Sequence, residues 1–171
     1  MQKECPIDWT EYTPQDQAVL CFLVRDGRVL LIHKKRGLGA GKVNGPGGKR
    51  EAGESLVLTA TRELYEEVGI IPENPDHRGT LRFAFSDGYN LEVHIFTAPS
   101  WSGEPVETAE AIPFWVRLEN IPFDRMWEDD IHWLPAVLAG RRVDGEMCFD
   151  GDRMLCWDIR WSDGTRISGK R

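Results

Sequence analysis

The segment from Gly48 to Ile70, GKREAGESLVLTATRELYEEVGI, constrains this chain more than any other. From Ser55 to Val68 the pattern is helical, Gly69 stands where a helix would stop, and Leu56, Ala60, Leu64 and Val68 recur at helical spacing. Such an apolar stripe has to pack against another layer. Beside it, Glu63, Glu66 and Glu67 lie on one side of the same helix. Like charges at this spacing repel by about 0.2–0.5 kcal/mol per exposed pair, and by more where the face borders a core. A hard divalent cation relieves that repulsion, and magnesium, which takes oxygen ligands and bridges carboxylates to phosphates, suits it. Taken alone, E-x-x-E-E also describes the solvated face of an ordinary surface helix.

The flanking sequence predicts strands. Gln17–Val24 and Arg28–His33 are apolar β-rich runs around an Asp26-Gly27 turn, which reads as a hairpin. The stretch between Gly37 and Gly48 is glycine-rich and without apolar period, a long loop of the kind usually reserved for function. Thr80–Phe85 and Leu91–Thr97 read as strands, and Ala111–Val116 as an edge or bulged strand because of Pro113. Asp129–Leu138 suggests a second helix that Pro135 ends or kinks, and Cys148–Phe149 with Met154–Trp161 closing strands. The organisation expected is one α+β domain over residues 17–161, after an N-terminal extension, 1–16, and before a polar, mobile tail, 162–171. Trp9 and Tyr12 in the extension could pack on the sheet or on a partner.

Composition excludes several classes. The chain is 41% hydrophobic and 29% charged, ordinary for a globular protein, and no apolar run reaches the roughly 20 residues of a membrane helix. The start, MQKECPIDWTEYTPQDQ, has no secretory core, so a cytoplasmic location is expected. A net charge of −7 argues against holding a nucleic-acid polymer by its phosphates. Cys5, Cys21, Cys148 and Cys156 form no C-x-x-C pair and are expected as reduced, buried thiols. A monomer is the expected state.

Gly48, Glu54, Arg62-Glu63-Leu64, Glu66-Glu67, Gly69 and Ile70 fill every fixed position of G-x5-E-x7-R-E-U-x-E-E-x-G-U, where U is aliphatic. The segment thus resembles the Nudix box. The resemblance implies an α/β/α sandwich, the Nudix fold with a mixed β-sheet and a loop-helix-loop catalytic motif. It also implies Mg2+, or Mn2+, and cleavage of a nucleoside diphosphate linked to another group. By the same resemblance Glu63, Glu66 and Glu67 are metal-binding carboxylates, the Gly47 carbonyl adds a ligand, and Arg62 orients the acidic cluster. Glu54 is either a loop-holding partner or a helix-entry acid. The base that takes a proton from water is either a box glutamate or a later one. Glu110, also a metal-site candidate, matches that later position, with Glu107 and a plain loop role as alternatives.

The resemblance continues through KKRGLGAGKVNGPGGK, LEVHIF, GEPVE, IPF and MWEDDIHWLP, which look like the MutT-homologue branch acting on oxidised purine nucleoside triphosphates. It implies a purine pocket of Asn44, Trp127, Asp129 and Asp130, and hydrolysis of a triphosphate such as 8-oxo-dGTP to monophosphate and pyrophosphate. Lys34 would meet phosphate or be an exposed strand-end lysine, and Phe83 and Phe85 are expected to divide between pocket and core. Adjacent carboxylates can read a purine edge, one of them keeping a proton because two close charges disfavour joint ionisation. Asp129-Asp130 could equally be an acidic helix start, and Trp127 a packing residue. The chain departs from the branch at Glu128, where a proline is usual, at Leu38, Val43 and Pro46, commonly aromatic, and at Val19 and Leu91. Another nucleoside triphosphate, a nucleoside diphosphate conjugate, or a nucleotide-binding module without turnover are the alternatives.

Overall fold

The computed structural model describes residues 7–171. The first hairpin is β1 (Asp16–Arg25) and β2 (Arg28–Lys34). Asp26 and Gly27 both have positive φ, 53° and 71°, the two-residue turn whose twist matches a hairpin. The glycine-rich loop that follows contributes two short strands, β3 (Val43–Asn44) against β2 and β4 (Gly47–Lys49) against β1. Helix α1 (Leu56–Val68) begins where the Ser55 hydroxyl accepts from Leu58 N at 3.1 Å and ends at Gly69, left-handed at φ 76°.

Next come β5 (Ile71–Glu73), β6 (Asp76–Phe85), β7 (Asn90–Ala98), β8 (Ser100–Ser102) and β9 (Ala111–Arg117). Helix α2 (Asp130–Leu138) runs on through Pro135, and β10 (Val143–Asp150), β11 (Arg153–Trp161) and β12 (Arg166–Lys170) close the fold. The main sheet has the order β12-β11-β10-β6-β7-β1-β2-β3, with β4 on β1 and β9 on β2, while β5 and β8 pair separately. It is mixed, because β1–β7 and β6–β10 are parallel and the other pairs antiparallel. Among the described residues strand β9 pairs only with β2, so Pro113 sits on an edge, where a missing N–H is tolerated.

Strand alternation sends β1 side chains to two cores. Val19, Cys21 and Leu23 pack with Ala60, Leu64 and Val68 of α1 on one face, and Phe22 packs with Trp133, Leu134 and Val137 of α2 on the other. This is the α/β/α layering expected. Full burial of Leu64 or Val68 contributes about 1.5–3 kcal/mol each, enough to fix which side of α1 faces the sheet and therefore where its glutamates point.

Three expectations change. Residues 166–170 form the edge strand β12, paired to β11 from Cys156 to Arg160, so the tail is ordered sheet. Cys148 is disulfide-bonded, whereas Cys21 and Cys156 are free and buried; Cys5 lies outside the described residues. Strand β1 begins one residue earlier than expected, at Asp16, and before it Ile7, Trp9 and Tyr12 pack against the fold. There Trp9 and Tyr12 pack beside Ala84, Cys148 and Cys156, and the Tyr12 hydroxyl donates to the Phe83 carbonyl at 3.3 Å. Among the described residues no helix is long and apolar enough to cross a membrane.

Candidate active site

Helix α1 and strand β4 bring the acidic segment to one side of a cavity of about 370 Å³. Glu63, Glu67 and Glu110 line it, with Gly47 and Gly48 opposite the helix. Only glycine fits at Gly47, where a Cβ would collide with the Val19 backbone carbonyl, whereas a Cβ on Gly48 would force the Glu63 carboxylate to shift. Arg62 organises the acids. Its guanidinium donates to Glu54 Oε1 at 2.5 Å and Oε2 at 2.9 Å, to Glu63 Oε1 at 2.7 Å, to Glu66 Oε2 at 3.2 Å and to the Lys49 carbonyl at 2.9 Å. Glu54 also accepts from Glu51 N and Thr59 Oγ1, so it ties the loop to the helix start. The Arg62 hydrogen bond holds the Glu54 carboxyl down at about 2.

Glu67 lies in a different setting. It is buried, its carboxylate receives one long hydrogen bond from Gly47 N at 3.4 Å, and desolvation pushes its pKa up to about 8, with Lys34 opposing and Glu63 and Glu110 reinforcing the shift. Burial also raises Glu63, against the pull of Arg62. Glu66 is half exposed and outside the cavity lining, held by Arg62. Glu110 lines the cavity and accepts from Arg36 Nη2 at 2.7 Å, whereas Glu107 stays outside it, paired with Lys35 at 2.6 Å. Among the described residues, no three His, Cys, Asp or Glu side chains are gathered closely enough to form a finished metal site. The donor set is nonetheless that of a hard cation: carboxylate oxygens, mutually repulsive, one of them buried with almost no hydrogen bonding.

The same cavity has a second, drier region. Asn44, Phe83, Phe85, Trp127, Asp129 and Asp130 line it. Phe83 and Phe85 do not divide between pocket and core, because residues two apart on a strand share a face. Both line the cavity and both pack on the larger core. Trp127 stands edge-on to Phe149, centroids 5.5 Å apart, and to Phe85 at 6.2 Å. The Asn44 carbonyl oxygen accepts from Gly45 N at 2.9 Å, which fixes the amide. Asp129 and Asp130 are almost wholly buried. Asp129 Oδ2 accepts from Trp133 Nε1 at 2.8 Å, whereas Asp130 Oδ2 is buried with no hydrogen-bond partner. Desolvation drives both carboxyls above their ordinary range, and for Asp130 the neighbouring Asp129 adds to the rise. Burial and mutual proximity thus favour a proton on the pair, at Asp130 above all.

Lys34 lies on the lining at the end of β2 and acts electrostatically on Glu67. Two other basic residues bear on the cavity but were not among the sequence candidates. Arg36 pairs with Glu110, and Lys42 stands 5.1 Å from the Trp127 ring while pairing with Asp152 at 3.1 Å. Their signal was the basic run Lys34-Lys35-Arg36 and a lysine within the glycine loop. Gly39 matters too: it has φ +81°, and a Cβ there would lie 2.8 Å from Trp127 Nε1. Of the residues where the chain departs from its resemblance, Val19, Leu38 and Leu91 line the cavity and Val43 is buried in the core.

Comparison with known proteins bears on this geometry. The family model described as the NUDIX domain matches residues 14–137. An oxidized purine nucleoside triphosphate hydrolase of Danio rerio is 45% identical over 137 residues, covering 80% of this chain and 88% of the relative. The enzyme of the same name from Mus musculus is 40% identical over 146 residues, covering 84% and 94%. The crystal structure of a MutT protein from Bacillus halodurans, 26% identical, superposes with a TM-score of 0.74 over 88% of this chain and 99% of that one. The box on α1, the layered fold around it and these matches across most of the sequence lead to one assignment: the chain belongs to the NUDIX-domain family.

Proposed function

We propose that this protein is a magnesium-dependent diphosphatase that hydrolyses oxidised purine nucleoside triphosphates, such as 8-oxo-dGTP, to the monophosphate and pyrophosphate, and so cleans the nucleotide pool of the cytoplasm as a monomer. The observation that carries the reading is the union, in one cavity, of the carboxylates Glu63, Glu67 and Glu110 with the buried pair Asp129-Asp130 beside Trp127. Relatives at 45% and 40% identity named for this substrate class support it. The net charge of −7 gives no basis for a nucleic-acid polymer as substrate.

Glu63, Glu66, Glu67, Glu110 and the Gly47 carbonyl would hold the Mg2+, with Mn2+ as a substitute. When bound, the cation supplies positive charge to phosphoryl oxygens and makes a water more acidic. Lys34, with Arg36, meets the phosphates by charge. Arg62 holds Glu63 and Glu66 in place by charge-assisted hydrogen bonds. Glu67 or Glu110, both on the cavity lining, accepts the proton of the attacking water. At the other region, Trp127 stacks on the base, a contact of about 1–3 kcal/mol. Asp130 donates to a base acceptor, Asp129 accepts from a base donor, and Asn44 can do either.

The deciding measurement is kcat/KM for 8-oxo-dGTP and for dGTP in magnesium, with pyrophosphate followed and EDTA as control. A strong preference for the oxidised base and abolition by EDTA are expected. Near-equal values would shift the assignment to another nucleoside triphosphate or a nucleoside diphosphate conjugate, a reading that Val19, Leu38 and Leu91 on the cavity wall favour. No release from any triphosphate would make the protein a binding module.

A further inference from the structure

The residue between Trp127 and Asp129 is Glu128, and its side chain turns away from the acid pair toward the far hairpin. Its Oε2 accepts two hydrogen bonds, from Met154 N at 2.9 Å and from Arg171 Nη1 at 2.8 Å. Met154 is fully buried and sits just past the point where the β10–β11 pairing shifts register between Cys148 and Phe149. Its N–H is therefore a donor near an irregularity that the Glu128 carboxylate satisfies. Arg171 is itself anchored, its N–H donating to the Leu155 carbonyl at 2.8 Å.

Two other contacts, one through α2 and one through the glycine-rich loop, tie this region to the same hairpin. His132, on α2, stacks on Trp157 of β11 with centroids 4.9 Å apart and planes 18° apart. Lys42, near the Trp127 ring, pairs with Asp152 in the β10–β11 turn. An exposed ion pair alone contributes little. Glu128 differs because one of its partners is a backbone amide of the core, so the bond defines a position and not only a charge balance.

From this geometry we infer that Glu128 is a positioning residue for base recognition: with Met154 and Arg171 it braces the Trp127–Asp130 segment against β11, setting the placement of Trp127, Asp129 and Asp130. Glu128 touches no substrate. It acts through the residues on either side of it, which makes the outermost hairpin part of the specificity apparatus. The inference rests on the proposed base pocket.

The test compares Glu128→Ala, Glu128→Gln and Arg171→Ala with the wild-type protein, by steady-state kinetics on 8-oxo-dGTP and dGTP and by amide hydrogen exchange. For Glu128→Ala, KM for 8-oxo-dGTP is expected to rise about tenfold with kcat changed less than about twofold, the signature of lost binding rather than lost chemistry. Amides of residues 127–131 should exchange faster while those of α1 do not. Glu128→Gln, which keeps an oxygen for Met154 N, should restore KM to within about threefold of wild type, and Arg171→Ala should resemble it. Wild-type KM and exchange in Glu128→Ala would overturn the brace. So would equal loosening of α1, which marks a general loss of stability, or failure of Glu128→Gln to rescue. If the wild-type protein hydrolyses neither nucleotide, the proposed function falls, and the exchange of residues 127–131 then decides the brace by itself.

Discussion

The two regions of the cavity are built in opposite ways. The acidic region comes almost whole from one contiguous segment, its charges held by Arg62 and its geometry set by one helix. The region proposed for base recognition is assembled from β3, β6, the segment before α2 and α2 itself, and it holds two desolvated carboxyls. Local spacing can write the first. The second exists only after folding, because burial, which raises the proton affinity of Asp129 and Asp130, is a property of the assembled layers.

Mutations should separate the regions along that line. The largest effect is expected at Glu67→Gln, which removes a charged donor from the acidic region: kcat should fall about a thousandfold with KM for the base nearly unchanged, measured by pyrophosphate release. A fully active variant would end the metal assignment. Arg62→Ala should weaken magnesium affinity about 10- to 100-fold in a metal titration, as expected for a residue that orients ligands without being one. Unchanged affinity would show that the acids hold their places without it.

On the recognition side, Asp130→Ala should raise KM for the preferred base by roughly 10- to 100-fold while kcat stays near wild type, since a buried base group is left unpaired. Asn44→Ala should do the same to a smaller extent, about tenfold, because water can replace part of the amide. If either mainly lowers kcat, the division between the regions fails. The smallest signal is in stability. Asp129 and Asp130 hold a proton to higher pH in the folded protein than in the unfolded chain, so their contribution is complete below the ordinary Asp value of 3.8 and is lost as pH rises through their raised values. Thermal unfolding of the wild type against Asp130→Asn should show the variant losing less stability over that rise; parallel curves would contradict the shared proton.

The same contrast explains what could be read in advance. Helix α1 was legible end to end because Ser55, Gly69 and the apolar stripe are local signals. Strand β12 was not, since an edge strand with both faces largely in solvent has no buried alternation to betray it. The pair β5 and β8, three residues each, is too short to carry a period. Within the site, Glu63, Glu67 and Glu110 were named from position and line the cavity, but the exclusion of Glu107 from it and the Arg36–Glu110 pair came only from folding. Glu128 was visible as a departure from pattern, and its partner Met154 lies 26 residues away in sequence.

Gly48 sits at the head of the box because the Glu63 carboxylate occupies the volume where its Cβ would be. One methyl group there would displace the Glu63 carboxylate, a proposed metal ligand, without altering the charge. A survey of random variants would therefore score Gly48→Ala as a catalytic knockout, although the residue has no chemistry to lose. At this position the absent side chain makes room for the Glu63 carboxylate, and a scan that equates sensitivity with reactivity would misname it.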